Sequence, residues 1–139
     1  MSFIKKIELR YNDSDQMGVV YHANYFVFFE QSRTAMLKEF GVDYYEVEEK
    51  GFIFPVRDVA CTYFKSIRLG EEIVCEIWLR KMSKVKMEFE HEIRNVQGEV
   101  KAKGMSSIIS VKKSDFKICK MDKNLPDVYK LKDKIERTF

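Results

Sequence analysis

The sequence has little with which to cross-link itself. Its three cysteines, Cys61, Cys75 and Cys119, are odd in number, far apart and never in a CxxC pair, so neither a disulfide framework nor a zinc ribbon follows from them. Glycine (6) and proline (2) are scarce, which excludes a collagen-like or low-complexity chain. No apolar run approaches the ~20 residues that a membrane span needs. Residues 1–20 also lack an apolar signal core, because Lys5, Lys6, Glu8, Arg10, Asp13 and Asp15 interrupt them; a cytoplasmic, reducing setting is the expectation. Nor is there an excess of charge of one sign. With 25 Lys and Arg against 22 Asp and Glu, the net charge is +3, and no nucleic-acid partner is expected from so small an imbalance.

What the chain does have is 139 residues, the length of one domain over 1–139. It is 45% hydrophobic and 34% charged, with 11 Phe, 7 Tyr and 7 Met. So much aromatic surface must be buried in a core or against a partner.

Hydrophobic periodicity sets the expected elements. Residues 3–11 alternate, with Ile7, Leu9 and Tyr11 on one side, as in a half-buried strand. The run 12–15 (Asn-Asp-Ser-Asp) breaks it. A helix is predicted over about 23–40, with Tyr25, Phe28, Phe29, Met36 and Phe40 on one face, Arg33 and Lys38 off it, and Gly41 as its stop. Its first half is apolar nearly all round, as in an enclosed helix. The acidic stretch 42–51 reads as a short helix or ordered loop. From residue 52 the period changes to two. Strands are expected within 52–64 (Val59, Cys61 and Tyr63 on one face), over 73–80, 85–94 and 99–111, joined by a turn at 69–72, a tight connection at 81–84 and a hairpin at 95–98. The fourth of these carries Ala102, Gly104 and Ser106 on one face, which would let a helix approach closely. The tail, about 113–139, is basic, and Pro126, Val128, Leu131 and Ile135 suggest a short amphipathic helix with its charges solvated. One antiparallel sheet wrapped around the 23–40 helix is the economical α+β architecture. Unpaired sheet edges and the Phe and Met surplus suggest a homo-oligomer.

Few catalytic motifs survive inspection. There is no GxSxG, no GxxxxGK[ST] and no GxGxxG. The run starting at Asp13 begins like a calcium loop, but Met17 stands at its fifth position and Asn24 at its twelfth. His91 falls on the apolar face of a strand and reads as structural. With no third ligand in view, no metal site is expected. What remains is the segment 10–33. Asp15 lies on an irregular loop just before the start of a buried helix, where unpaired amides and a partial positive charge can polarise a carbonyl oxygen. A carboxylate on the other side of that carbonyl could attack it or direct water onto it. No second acid is evident to assist a poor leaving group. A thiolate, with a conjugate-acid pKa near ~8.5, leaves with little help, so a thioester fits this equipment better than an amide. The plainer reading is that Asp15 is only a cap or turn residue and His22 only a first-turn residue.

The run Tyr-Asn-Asp-Ser-Asp-Gln-Met-Gly-Val-Val-Tyr-His-Ala-Asn-Tyr (11–25), followed by Phe-Phe-Glu-Gln-Ser-Arg (28–33), resembles the hotdog-fold acyl-CoA thioesterases of the 4-hydroxybenzoyl-CoA thioesterase/YbgC branch. The likeness continues through Gly51, Pro55 and the 64–70 turn. It implies a hotdog fold of α+β class, with a five- to six-stranded antiparallel sheet around one long central helix and active sites at a homodimer interface, with tetramers frequent. It implies hydrolysis of an acyl-CoA, or of an acyl-carrier-protein thioester, without a cofactor. Carried over by position, Asp15 is the catalytic carboxylate, as nucleophile or base. His22 is catalytic at the helix start, where a backbone amide polarises the carbonyl, and its side chain helps hold substrate. Gly18 shapes the loop, and Tyr21, Asn24 and Tyr25 shape the pocket. Phe54, Pro55 and Val56 line the acyl pocket. Lys81, Met82, Ser83 and Lys84 resemble the basic turn that contacts CoA. Glu30 and Arg33 are read as an ion pair or hydrogen-bonded set, with Glu30 a rival catalytic acid. Two other readings stay open: a non-hydrolytic acyl-CoA or acyl-carrier-protein binding module, and a hotdog dehydratase using His22 and Glu30.

Overall fold

A computed structural model describes residues 1–137. Strand β1 (Ser2–Ile7) is shorter than the alternation through Tyr11 predicts. The Asp13 carboxylate accepts the Arg10 amide at 2.8 Å and pulls residues 11–13 into a 3-10 turn. Tyr11 is accordingly 85% exposed instead of facing the core. Helix α1 (Asn24–Glu39) matches the expected position and is about 24 Å long. Gly41, at φ +92°, takes the left-handed conformation that ends it, and the Val42 amide returns to the Leu37 carbonyl at 2.8 Å. Helix α2 (Tyr44–Glu49) starts where the Asp43 side chain caps the Tyr45 amide at 2.8 Å.

The single strand expected within 52–64 is two. Strand β2 (Phe52–Ile53) and strand β3 (Val56–Tyr63) are separated at Pro55, which has no amide to give a ladder. Strands β4 (Ile73–Met82), β5 (Lys86–Asn95) and β6 (Val100–Ile109) follow as the alternation predicts. A short β7 (Val111–Lys112) pairs with β2. The main sheet is antiparallel and five-stranded, in the order β1-β4-β5-β6-β3, and it curls around α1 as the hotdog architecture requires.

The seam between α1 and the sheet is tight. Phe29 stacks on His91 with ring centroids 4.2 Å apart and planes 12° from parallel. Gly104 lies across from them. A Cβ built there would sit 2.4 Å from the Ala60 carbonyl oxygen and 2.5 Å from the Phe29 ring. The small-residue stripe of β6 is therefore what admits the helix. Arg33 corrects the sequence expectation. It lies four residues after Phe29 and three before Met36, so it shares their face; it is 4% exposed and donates to the Ser106 hydroxyl at 3.0 Å. Glu30 is exposed and forms no ion pair with Arg33 among the described residues.

The tail is more than a solvated surface. Helices α3 (Met121–Asn124), α4 (Pro126–Tyr129) and α5 (Leu131–Ile135) bury Met121, Leu125, Val128, Leu131 and Ile135 against Met36 and Leu37 of α1 and Leu79 of β4. They close the sheet end where β4 turns into β5. Among the described residues no helix is long and apolar enough to cross a membrane.

Candidate active site

Asp15 sits on a loop whose shape is set by its own backbone. Its amide donates to the Val19 carbonyl at 2.8 Å, and its carbonyl accepts from the Gly18 amide at 3.2 Å. Its Oδ1 accepts the Met17 amide at 2.8 Å and, more weakly, the Val19 amide at 3.4 Å. Gly18 has φ +77°, a conformation that L side chains rarely adopt, and so allows the reversal. Asp13, two residues earlier, is buried and structural. Its carbonyl accepts the Tyr21 amide at 2.8 Å and the Asn24 side chain at 3.0 Å. Asn24, expected to shape the pocket, thus does so by tying the loop to the first residue of α1.

The loop docks onto the segment that leaves β3. The Val20 amide donates to the Ile67 carbonyl at 2.8 Å, and Val19 bridges Arg68. Between them opens a cavity of about 280 Å3 whose lining includes Asp15, His22, Tyr25, Tyr63, Phe64 and Lys65. Rings crowd it. Tyr63 meets Tyr25 edge-on at 4.8 Å and His22 at 6.3 Å, Tyr21 packs on His22 at 4.5 Å, and the Tyr63 hydroxyl donates to the His22 carbonyl at 2.8 Å. Desolvation, with the Cys61 thiol beside it, pushes the Tyr63 phenol up to about 12. Desolvation also raises Tyr25. Both phenols therefore stay neutral hydrogen-bond donors across the physiological range.

The start of α1 lies beside the same cavity, which His22 and Tyr25 line. Ala23 occupies the cap position with no side-chain cap, and the amides of His22 and Ala23 donate to no acceptor among the described residues. Such unpaired amides carry the positive end of the helix dipole. Thus Asp15 and His22 are brought together at one cavity, as their spacing suggests, and Tyr25 joins them. Glu30 is not there; it opens on a separate surface cavity with Thr34, Lys38 and Tyr44.

Other expected site residues lie elsewhere. Phe54 lines an apolar cavity of about 200 Å3 with Tyr44, Val47 and Phe52, the Pro55 carbonyl accepts the Ile109 amide at 3.0 Å, and Val56 is 50% exposed. Seven steps along β3 separate Val56 from Tyr63, roughly 23 Å. The 81–84 turn is at the Val56 end too, since Met87 and Val56 both pair with Ile108. There the Ser83 hydroxyl accepts the Lys86 amide at 3.1 Å, and Lys84 pairs with Asp122 at 3.7 Å. Met82 corrects the expectation of a CoA contact. Its side chain is buried in the core, its amide donates to Glu136 at 2.7 Å, and its carbonyl accepts from Lys132 at 2.8 Å. Among the described residues, no three His, Cys, Asp or Glu side chains gather as a metal site would. The cavity wall formed by Tyr63, Phe64, Lys65 and Ser66 has aromatic residues at the end of a strand as its only local signal in the sequence.

Comparison with known proteins gives the family of the chain. The thioesterase superfamily profile matches residues 17–102. That span begins two residues beyond Asp15, so the case for the carboxylate rests on geometry. The chain is 39% identical over 133 residues to YneP of Bacillus subtilis (strain 168), named as a candidate acyl-CoA thioesterase, covering 96% of each protein. It is 29% identical over 91 residues to the acyl-CoA thioester hydrolase YbgC of Escherichia coli O157:H7, covering 66% of this chain and 68% of YbgC. Among solved structures, a DHNA-CoA thioesterase from Staphylococcus aureus superposes with TM-score 0.92 at 34% identity, covering 96% of this chain and 89% of that one.

Proposed function

Because the chain belongs to the thioesterase superfamily, we propose that it hydrolyses acyl-CoA thioesters to a carboxylic acid and CoA, with Asp15 and the start of α1 as its chemical centre. The observation that carries this reading is that Asp15 and His22, whose amide has no acceptor among the described residues, line one cavity. The amide side polarises the acyl oxygen and stabilises the charge that develops on it. Asp15 either attacks the acyl carbon or takes a proton from the attacking water. The thiolate departs without an acid partner. Tyr25 and Tyr63 stay protonated and present apolar rings to the acyl group. The dehydratase reading loses support because Glu30 does not share the cavity of His22. The named substrates of the relatives, acyl-CoA and DHNA-CoA, support CoA as the carrier.

We also assign a second copy of the chain to the site. Strand β3 is an eight-residue sheet edge, exposed at every position but Cys61. Its inner-face residues share a face with Ala102 and Ser106 but extend past the cover of α1, with Val59 44% and Tyr63 42% exposed. Long open edges of this kind pair with another strand. Antiparallel pairing of β3 with its copy about a two-fold axis would bring the Val56 end of one subunit to the Tyr63 end of the other. Phe54, Val56 and the Lys81, Ser83 and Lys84 turn of the partner would then approach the Asp15 cavity and serve the acyl group and the CoA phosphates. The unpaired thiols of Cys61, Cys75 and Cys119 fit a reducing, cytoplasmic setting.

The decisive variant is Asp15→Asn, which keeps shape and removes the anion. Thiol release from a panel running from acetyl-CoA to benzoyl-CoA should fall at least about 100-fold, with unchanged thermal unfolding. Near wild-type release by the folded variant would sink the assignment.

A further inference from the structure

We infer that Lys101 is a positioning residue for the Asp15 loop, acting through the irregular segment 64–68 and resting on the hydrolytic reading above. Lys101 is 5% exposed. All three donors of its ammonium group are engaged: the Glu99 carboxylate at 2.8 Å, the Glu71 carboxylate at 3.0 Å and the Ser66 carbonyl at 3.1 Å. Its own carbonyl accepts the Phe64 amide at 2.8 Å and the Lys65 amide at 3.1 Å. One residue of β6 therefore holds three consecutive residues of the cavity wall by main-chain groups. Glu71 extends the grip, because its second oxygen accepts the Arg68 amide at 2.7 Å.

The grip passes to Asp15 without a gap. Ile67 and Arg68 carry the Asp15 loop through the Val20 amide and the Val19 bridge, and Val19 in turn holds the Asp15 backbone at 2.8 Å. Segment 64–68 has no place in a regular strand; apart from the buried Ile67 side chain, what fixes it is this set of polar contacts. Burying an ammonium group costs free energy that an apolar side chain of similar size would not incur. The charge is retained here because it reaches a carbonyl and two carboxylates that no apolar group could hold in place. Burial works against the Lys101 charge, yet the hydrogen bonds it donates to Glu99 and Glu71 outweigh it, and the lysine holds its proton above the usual range. Opposite it, Glu99 is held down at about 2 by the hydrogen bonds it accepts from Lys101 and Lys65. The clamp stays charged throughout the range in which an esterase works.

A near-attack geometry displaced by an ångström costs turnover far more than binding. The test compares Lys101→Met with Lys103→Met, an exposed neighbour on the same strand, using hexanoyl-CoA and benzoyl-CoA and following amide exchange in parallel. Lys101→Met should lower kcat about tenfold or more with KM changed less than about twofold. It should also speed exchange at Val20, Phe64 and Lys65 while leaving the β4–β5 ladder protected. Lys103→Met should match wild type. A lower unfolding temperature with wild-type kcat would overturn the proposal, and so would a raised KM at unchanged kcat. Should Lys101→Met not fold, Glu71→Gln and Glu99→Gln decide. Both carboxylates hold Lys101, and Glu71 alone also accepts the Arg68 amide, so both variants must lower kcat, Glu71→Gln the more; wild-type kcat in both folded variants refutes the clamp. If wild-type protein hydrolyses neither ester, the hydrolytic reading fails by itself, and exchange at Val20 still tests the mechanical link.

Discussion

Two regions of this protein use the same kinds of side chain for opposite ends. The seam under α1 contains a histidine, two serines, an arginine and a phenylalanine ring; the Asp15 cavity contains a histidine, a serine, a lysine and several rings. In the seam everything is enclosed. The Ser32 hydroxyl lies 3.2 Å from His91 Nδ1, the Ser106 hydroxyl 2.8 Å from Nε2, and Arg33 holds Ser106. Desolvation, with Arg33 nearby, pushes His91 down to about 3, so it is a neutral spacer. At the cavity, His22 is exposed and lines the opening. Residue type alone does not make chemistry; access and an unpaired polar group do. The buried network fixes where the helix lies, and so where its open end points.

The strongest way to break that contrast is to overfill the seam. Gly104→Val places a side chain where backbone and the Phe29 ring already stand. A loss of about 3 kcal/mol or more is expected from denaturant unfolding, with poor recovery of folded protein. The next effect falls where the seam runs out, at β3. Val59→Lys puts like charges close to the proposed two-fold pairing. Particle mass measured by light scattering should fall to that of one chain, and thioester hydrolysis should fall at least about tenfold, because the cavity then lacks its second wall. Unchanged mass and rate would separate the site from any partner. The smallest effect, taken per pH unit, is on pH. His91 has its folded-state pKa depressed to about 3 from 6.5, so the unfolded chain binds the proton first on acidification. Stability is full above 6.5 and declines as pH falls toward 3, by up to about 1.4 kcal/mol per pH unit. Unfolding curves of His91→Gln over this window should be flatter than those of the wild type.

Much of this contrast is legible in the sequence. Alternation placed His91 on the buried face of β5, and the small residues of β6 announced the helix above them. The position of Asp15 before an apolar helix, with Gly18 to turn the loop, marked the cavity. The charge of Arg33 puts it off the apolar face in a reading by residue type, although its spacing from Phe29 and Met36 puts it on the sheet side. The split at Pro55 and the inward turn of Met82 escaped because both depend on what lies across space. Pro55 hands its strand partner to β7, and Met82 finds its polar partners 50 and 54 residues away. Lys101 left little local trace, since apart from Glu99 two residues before it, its side-chain partners lie in the connection between β3 and β4.

One feature of the far end offers a built-in optical reporter. Trp78 is the single tryptophan of the chain; it stands half-covered on the outer face of β4, with the Arg137 guanidinium 4.8 Å from its ring while Arg137 also binds Glu90 at 2.7 Å. Indole emission from this one site therefore senses whether the C-terminal segment is seated on the sheet.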